Sequence, residues 1–331
     1  MDAAPGEWNE LVAADPAATP AHRPELWRAL ATVLPGLESR FIVVERGGTP
    51  IGGAPIMIQR RAGLHWLRAL PFLLPAAPLA RPGSASAVDE AVAHALLELQ
   101  RDLHVVGGEW ACYRPTGAAV APGVLDLLPG ETRWFESAVV ELDGGLDAAL
   151  ARVDRKTRQG LLQSRASGLR FGENADALDP AIALHARQSR IWRGHRPVPA
   201  ALSRRLIEAG VARLFTVADE RGVLCATFAL DGGSETLMWW SGAREEARSR
   251  GAFALLAWSV AEWAHARGRA RLNLGASSGL DPVAAFKRSL GARLVRWPVR
   301  WLGPQYAPPA GRLLATLEAR LRRSRARGAA A

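Results

Sequence analysis

Apolar and polar residues follow the same order of patterns in both halves of the chain. In the first half, a helical stripe from Pro24 to Leu34 precedes two β-rich runs, Phe41 to Glu45 and Ile51 to Gln59, which a glycine-containing turn joins. A second helix is predicted over Ser86 to His104, and a strand near Glu109 to Tyr113. This order predicts one α/β module.

The second half repeats that order. Leu214 to Ala218 and Val223 to Leu230 predict a hairpin, and Thr236 to Ser241 predicts the next strand. A helix follows from Ala252 to Arg267, and Gly268 closes it. The remaining predicted elements are a strand at Arg271 to Leu274, a helix at Pro282 to Leu290 and a pair of strands around Ala292 to Leu302. Two α/β modules of related plan are the simplest explanation.

The stretch from Leu128 to Gly145 is the expected join between the modules. We therefore expect an N-terminal module over residues 1–135 and a C-terminal module over residues 136–310. Asp147 to Ser167 is predicted to form one basic helix. In residues 311–331, the segment from Gly311 to Gly328 carries four leucines and six arginines, which is typical of a basic amphipathic helix. That helix either packs on the domain with its arginines in solvent or contacts a membrane surface or RNA.

Composition is that of an ordinary soluble protein. The 331 residues are 49% hydrophobic and 22% charged, and no apolar run is long enough to cross a bilayer. Acidic residues stand near the N-terminus where a secretory signal needs basic ones, so a cytoplasmic location is expected. Cys112 and Cys225 have neither disulfide-framework nor zinc-site spacing, so no metal is expected.

The formal net charge of +10 favours partners that carry phosphate, such as nucleic acid, nucleotide cofactors or anionic lipid. Of the 42 basic residues, only Lys156 and Lys287 are lysines. A chain that uses arginine almost everywhere retains lysine where a compact ammonium is needed. The two lysines are therefore candidate functional residues.

Arg248 lies three residues before Gly251, which precedes the helix that begins at Ala252. The first turn of a helix offers unpaired N–H groups and a positive dipole end, which together bind phosphate. This stretch resembles the phosphate-binding loop of the GNAT acyltransferase superfamily, except that Phe253 replaces a small residue. Arg248 and Gly251 favour an acyl-CoA donor, and the bulk of Phe253 disfavours it.

The later stretch LNLGASSGLDPVAAFKRSLGARLVRW resembles the FemAB-type branch of that superfamily, whose signature it matches at Leu274-Gly275, Phe286-Lys287 and Leu290-Gly291-Ala292. The resemblance implies two GNAT-like modules in tandem, the first degenerate, with the reaction site between them. Each module would hold a mixed, mostly antiparallel twisted sheet flanked by helices. The implied reaction is acyl transfer to an amine, and the peptidoglycan-bridge members of the branch use aminoacyl-tRNA as donor.

The resemblance also implies that Phe286 and Lys287 lie beside the donor's reacting carbonyl. A fixed ammonium in a dry cleft stabilises the negative charge that develops on that oxygen. The alternative for Lys287 is an ordinary lysine on the exposed side of its helix.

Three further groups are candidates. Arg155, Lys156 and Arg158 fall within one helical turn and either bind phosphate or form a solvated face. Arg248 and Arg250 either clasp a pyrophosphate or an RNA backbone, or cap the loop. The strand end and the loop after it supply candidates to orient the substrate, which are Asn273, Ser277 and Ser278.

The sequence identifies no clear general base. His195 is a weak candidate in a loop-like stretch, and Asp231 and Glu235 are predicted to be solvated in a turn. Hydrolase, NTPase and dehydrogenase motifs are absent from the sequence.

These observations predict a cytoplasmic N-acyltransferase with acyl-CoA or aminoacyl-tRNA as co-substrate and no permanently bound cofactor. The expected partners are a small-molecule or lipid-linked amine acceptor, tRNA and, through the C-terminal helix, a membrane surface. The alternative is a non-catalytic module of the same fold that binds an anionic envelope precursor or RNA.

Overall fold

The computed structural model describes residues 6–61, 63–68, 74, 76–117, 124–191, 197–277 and 279–302. The chain divides into two compact units. Unit 1 comprises the described residues of Met1–Asp15, Leu30–Phe135 and Trp297–Ala331, and unit 2 comprises Pro16–Ala29 and Glu136–Arg296.

The sheet of unit 1 begins with a hairpin of β1 (Leu37–Arg46) and β2 (Thr49–Arg61). β2 also pairs antiparallel with β3 (Leu64–Arg68) and with the short β4 (Leu79–Ala80). β3 then pairs parallel with β5 (Val105–Ala111). In β12 (Arg293–Leu302), residues 299–302 pair antiparallel with β5. This sheet is therefore mostly antiparallel with one parallel pair.

The helices of unit 1 bury apolar stripes against its sheet. α3 (Ala85–Asp102) joins the parallel strands β3 and β5, and its buried positions Val88, Val92 and Leu96 recur at the spacing of one helix face. In α1 (Trp8–Ala14), the ring of Trp8 packs edge-on against Phe41 with centroids 4.9 Å apart. α4 (Val124–Leu127) is a single turn.

The sheet of unit 2 has the same plan. β7 (Arg170–Glu173), β8 (Ala212–Asp219), β9 (Gly222–Gly232) and β10 (Glu235–Ala243) pair antiparallel in that order. β10 then pairs parallel with β11 (Arg271–Asn273), which pairs antiparallel with residues 139–141 of β6 (Glu131–Glu141).

Helix α10 (Ala252–Ala266) joins the parallel strands of unit 2 and fills its core. Its buried residues include Leu255, Leu256 and Val260, which pack in one cluster with Phe215 and Leu272 of the sheet. The other helices of unit 2 are α5 (Leu146–Ala151), α6 (Arg155–Ala166), α7 (Leu178–Ile191), α8 (Ala200–Glu208), α9 (Glu246–Ser249) and α11 (Asp281–Ser289).

Residues 16–29, which include the first part of α2 (Pro24–Val33), belong to unit 2 although they precede unit 1 in sequence. The guanidinium of Arg23 donates to the carbonyl oxygens of Gly210 at 3.0 Å and Asp231 at 3.2 Å. The Ser234 hydroxyl donates to the carbonyl oxygens of Pro16 and Ala18 at 2.7 and 3.0 Å. Hydrogen bonds from side chains to main-chain carbonyl oxygens thus hold this segment on unit 2.

The predicted fold class is confirmed, since both sheets are mixed, mostly antiparallel and flanked by helices. Among the described residues, no helix combines the length and the apolarity that crossing a bilayer requires. The described side chains also include no group of three or more His, Cys, Asp or Glu residues placed to hold a metal ion.

Two predicted elements were wrong. The single helix over 147–167 is two helices, α5 and α6, because the Asp154 N–H leaves the helical pattern to donate to the Ser289 carbonyl oxygen at 3.0 Å. The pair of strands around 292–302 is one strand, β12, which continues through Pro298; the carbonyl oxygen of Pro298 accepts from the Cys112 N–H at 3.0 Å. The predicted helix over 311–328 lies outside the described residues.

Candidate functional site

The parallel strands β10 and β11 of unit 2 separate after a short paired stretch. They pair at only three positions, from Glu235 with Arg271 to Leu237 with Asn273. Beyond this point β10 stays with β9, and the chain after β11 stays with β6, where the Leu274 N–H donates to the Ala138 carbonyl oxygen at 2.8 Å. Two strands that diverge in this way leave main-chain groups open to a ligand.

Lys287 lies beside the chain that leaves β11. Its side chain is buried, and its Nζ donates to the carbonyl oxygens of Gly275 at 2.9 Å and Ala276 at 2.8 Å. These are the first two residues of the loop between Leu274 and α11. An ammonium has three N–H donors, so two hold this loop and one remains for another acceptor.

The charge of Lys287 is held without a carboxylate. No ion pair among the described residues involves Lys287, and its burial lowers its pKa from 10.5 to about 8. Desolvation disfavours the charged form, but a pKa near 8 leaves most of the side chain protonated at neutral pH. The site therefore holds a buried positive charge that only neutral dipoles offset.

The amphipathic pattern of α11 places Lys287 at this position. Pro282 lies in the first turn of the helix, where its missing N–H costs nothing. Ala284 and Lys287 are three residues apart and both are buried, so they share the inner face. The half-buried ring of Phe286 packs against that of Phe253 with centroids 5.7 Å apart. The structure thus brings the start of α10 next to the Phe-Lys pair.

Asn273 shapes the end of β11. Its amide nitrogen donates to a Glu235 carboxylate oxygen at 3.1 Å, and its amide oxygen accepts from the Gly275 N–H at 2.8 Å. Both residues are completely buried. Asn273 therefore fixes the turn in which Lys287 binds, and its predicted role in orienting a substrate stays a prediction.

Ser277 is the next residue after the two carbonyls that Lys287 binds. It is 5% exposed, and its hydroxyl has no hydrogen-bond partner among the described residues. A buried hydroxyl without a partner is costly, which makes it a candidate donor or acceptor for a ligand. Ser278, the third predicted orienting residue, lies outside the described residues.

The loop before α10 has the predicted turn. Gly251 adopts the left-handed conformation with φ of 65°, and a Cβ at this position would lie 2.5 Å from the hydroxyl oxygen of Ser164 in α6. The Ser164 hydroxyl donates to the Arg250 carbonyl oxygen at 3.0 Å. Glycine is thus required both by conformation and by the close approach of α6.

The two arginines of this loop differ in their surroundings. Arg248 is exposed and lines an open depression of about 680 Å³ together with Glu245, Glu246 and Ser249. Arg250 forms an ion pair with Asp219 in the β8–β9 turn, and its hydrogen bond holds the pKa of that carboxyl below its usual value. Of the two, Arg248 is the one without an ion-pair partner among the described residues.

Arg155, Lys156 and Arg158 lie in the first turn of α6 rather than inside a longer helix. Arg155 and Lys156 are exposed and Arg158 is half-buried. The bond between the Asp154 N–H and the Ser289 carbonyl oxygen places this turn at the end of α11. The structure therefore brings the basic cluster next to the helix that carries Lys287.

The prediction that Asp231 and Glu235 are solvated was wrong, since both are buried. The guanidinium of Arg269 donates to both carboxylate oxygens of Asp231, at 2.7 and 2.8 Å, and the Thr236 hydroxyl adds a bond at 2.9 Å. Glu235 is covered by its partner Asn273. His195 lies outside the described residues.

Sequence reasoning missed His185 of α7. Its ring is buried and stacks on Trp240 with centroids 4.7 Å apart, and its Nδ1 lies 3.2 Å from the Ser241 carbonyl oxygen. The sequence feature that could have identified it is the repeat of apolar residues in α7. This repeat puts position 185 on the inner face of the helix with Ala181.

Part of the chain matches a known protein family. Residues 147–288, which contain α6, the loop before α10 and the Phe-Lys pair, match the family model described as an acetyltransferase (GNAT) domain. No functionally curated protein shows significant sequence similarity to this chain.

Several solved structures are similar over nearly the whole chain. The structure of FemX has a TM-score of 0.72 at 13% identity, covering 96% of this chain and 98% of that one. The C-terminal domain of a protein named as a lysylphosphatidylglycerol synthetase, from Agrobacterium fabrum, has a TM-score of 0.56 at 13% identity, covering 95% of each chain.

A tandem GNAT protein from the clavulanic acid biosynthesis pathway is also similar, with a TM-score of 0.51 at 15% identity, covering 90% of this chain and 94% of that one. At these identities the likeness shows the fold. The domain match confirms the resemblance to the GNAT superfamily over residues 147–288. The structure of FemX shares the fold that the resemblance to the FemAB-type branch implies.

Proposed function

We propose that this chain, which carries an acetyltransferase (GNAT) domain over residues 147–288, is a cytoplasmic N-acyltransferase. It transfers an acyl or aminoacyl group from an activated donor to an amine. The donor is an acyl-CoA or an aminoacyl-tRNA, and the acceptor is a small-molecule or lipid-linked amine. The similarity in fold to a lysylphosphatidylglycerol synthetase domain supports the lipid-linked class of acceptor.

The buried ammonium of Lys287 is the observation that carries the proposal. It lies where β10 and β11 separate, two of its donors hold the loop after β11, and no described carboxylate pairs with it. A structural lysine is normally exposed or paired with an acid. A buried cation that lacks a fixed anion is suited to a negative charge that appears during a reaction.

In the proposed reaction, the acceptor amine attacks the carbonyl carbon of the donor ester or thioester. Negative charge then develops on the carbonyl oxygen, and the remaining N–H of Lys287 donates to that oxygen. The intermediate collapses when the C–O or C–S bond of the donor breaks, and the proton that the amine loses passes to the departing oxygen or sulfur, which leaves as an alcohol or a thiol. Phe286, the neighbour of Lys287 in the sequence, packs against Phe253, and in the proposal these two rings provide apolar surface beside the reacting groups.

Different residues support each donor. For acyl-CoA, Arg248 and the N–H groups at the start of α10 provide phosphate-binding groups, although Glu245 and Glu246 line the same depression. The Arg250–Asp219 pair leaves Arg250 less available to a pyrophosphate. For aminoacyl-tRNA, the basic turn of Arg155, Lys156 and Arg158 next to α11 provides contacts to an RNA backbone.

The test is an acyl-transfer assay of the full chain with a panel of amines and each donor class. Two donor sources are used, acetyl-CoA and an extract containing charged tRNA. Each is assayed in the presence and absence of ribonuclease. Turnover that survives ribonuclease identifies the acyl-CoA donor, and turnover that ribonuclease abolishes identifies aminoacyl-tRNA.

Lys287→Ala is compared with Arg288→Ala, its exposed neighbour on α11. We expect only the first substitution to abolish turnover. Equal rates for wild type and Lys287→Ala would refute the catalytic role. A folded chain that binds an anionic ligand in a salt-dependent way, but turns over with neither donor, would identify the non-catalytic module instead.

A further inference from the structure

One surface of unit 2 combines positive charge with an exposed apolar side chain. Helix α6 turns Leu161 and Ser164 inward and leaves Leu162 64% exposed, which makes Leu162 the most exposed large hydrophobic residue in the described part of the chain. Arg155 and Arg158 lie seven and four residues before Leu162, and Arg165 lies three after it, so all three flank it on the outer face. Lys156 is exposed beside Arg155, at the edge of this surface. We call the surface formed by these five residues the α6 face.

The charge of the α6 face is largely uncompensated. From residue 152 to residue 166 the chain has five basic residues and one acidic residue, Asp154. Arg165 pairs with Glu262, but none of the ion pairs between described residues involves Arg155, Lys156 or Arg158. Elsewhere many arginines are paired with acids, including exposed ones such as Arg204 with Asp179. The face therefore suits an anionic partner.

The exposed side chain of Leu162 indicates which class of anionic partner fits the α6 face. An RNA backbone offers phosphates and sugars, against which an aliphatic side chain in the middle of the contact gains little. A bilayer surface offers anionic headgroups to the cations and an apolar interior to the leucine between them. A free phosphate ligand would likewise leave Leu162 in water.

We propose that the α6 face binds the surface of a membrane that contains anionic phospholipid, with Leu162 inserted below the headgroups and Arg155, Lys156 and Arg158 at the phosphates. The contact is peripheral and reversible, because one leucine and three cations supply modest affinity. Since the Asp154 N–H joins the start of α6 to the end of α11, the membrane would lie close to the helix of Lys287. A lipid-linked acceptor could then reach that helix from the bilayer.

This inference and the proposed acyl transfer are tested separately, because the experiment measures membrane binding without turnover. Either one can fail while the other stands. The full chain is sedimented with vesicles of phosphatidylglycerol and phosphatidylcholine, and with vesicles of phosphatidylcholine alone, at low and high salt. We expect binding only to the phosphatidylglycerol vesicles, with a large loss at high salt.

Two variants assign the contact to the α6 face. Leu162→Gln should weaken vesicle binding about fivefold or more, whereas Leu127→Gln, which changes a 37% exposed leucine in unit 1, should leave it unchanged. Lys156→Gln should weaken binding about fivefold, as expected for one cation at an anionic surface. Circular dichroism confirms that each variant is folded.

Three results would overturn the proposal. The first is no binding to phosphatidylglycerol vesicles. The second is binding that Leu162→Gln leaves unchanged, which would place the contact on another part of the chain. The third is binding of tRNA that Lys156→Gln weakens and Leu162→Gln does not, together with weaker binding to vesicles than to tRNA, which would make the face an RNA-binding surface.

Discussion

Each unit buries a cation near the end of its parallel strand pair, and the two cations are held differently. In unit 1, Arg114 follows β5 and its guanidinium lies 2.6 Å from the carboxylate of Asp89 in α3, with both side chains buried. In unit 2, Lys287 donates only to main-chain carbonyls. A buried charge with a fixed counter-charge is already satisfied within the fold, whereas one that lacks a counter-charge can act on a group that arrives.

The segments before the connecting helices show the same contrast. Arg81, four residues before α3, donates to the Pro50 carbonyl oxygen at 2.9 Å and pairs with Glu10 at 3.6 Å. Arg248, four residues before α10, forms no ion pair with a described residue. In unit 1 these basic side chains thus form ion pairs within the fold, whereas their counterparts in unit 2 form none with the described residues.

The largest expected effect concerns the ion pair of unit 1. Arg114→Met leaves the carboxylate of Asp89 buried without its partner, so we expect the free energy of unfolding to fall by about 3–5 kcal/mol. Urea denaturation measures this loss. The double variant Arg114→Met with Asp89→Leu should recover much of it, and a negligible loss in the single variant would contradict the structural role of the pair.

The matching change in unit 2 should affect activity instead. Lys287→Met removes a donor to the developing oxyanion, and we expect the turnover rate to fall about 100- to 1,000-fold while the chain stays folded. For wild type, the role as a cation predicts that the rate falls as pH rises above about 8, where the ammonium loses its proton. If Lys287→Arg is active, its rate should not fall in that range, because a guanidinium stays charged.

A smaller effect follows from the pKa of Lys287 in the folded chain. Because this pKa is about 8 and the unfolded value is 10.5, the unfolded chain binds more protons between these two pH values. Stability should therefore rise from pH 8 to pH 10.5, by about 2–3 kcal/mol relative to Lys287→Met. Parallel curves for the two proteins, from denaturation at several pH values, would show that the ammonium is not desolvated.

The smallest effect compares the glycines that precede the two connecting helices. Gly83 and Gly251 have φ of 79° and 65°, but a Cβ at Gly83 has no neighbour within 4 Å, whereas one at Gly251 meets the Ser164 hydroxyl. Gly83→Ala should cost about 1 kcal/mol from backbone strain alone, and Gly251→Ala about 2 kcal/mol. Adding Ser164→Ala to Gly251→Ala should lower the cost of the Gly251 substitution towards that of Gly83→Ala. Equal costs for Gly83→Ala and Gly251→Ala would exclude a contribution from the contact with Ser164.

The sequence predicted those parts of the molecule that depend on local pattern. The start of α10 at Ala252 follows from the glycine before it, and both hairpins follow from their alternation and turns. The break between α5 and α6 could not be predicted, because it depends on a main-chain bond to Ser289, which is distant in sequence.

Contacts between residues distant in sequence also explain which features of the candidate site could not be predicted. The Phe-Lys motif pointed to Lys287, but its burial against two carbonyls depends on how α11 packs on the loop. Asp231 and Glu235 follow one another across a turn, which is typical of solvated acids. Their burial depends on Arg269 and Asn273, each 38 residues further along the chain.

The early segment of residues 16–29 limits how the molecule can be divided. A fragment that begins at residue 136 would contain every residue that pairs in the unit 2 sheet, but it would lack the segment that covers Gly232, Gly233 and Ser234. The carbonyl oxygens of Gly210 and Asp231 would lose the Arg23 guanidinium. Expression of the C-terminal half should therefore succeed best when a peptide of residues 16–29 is supplied in trans or fused through a linker.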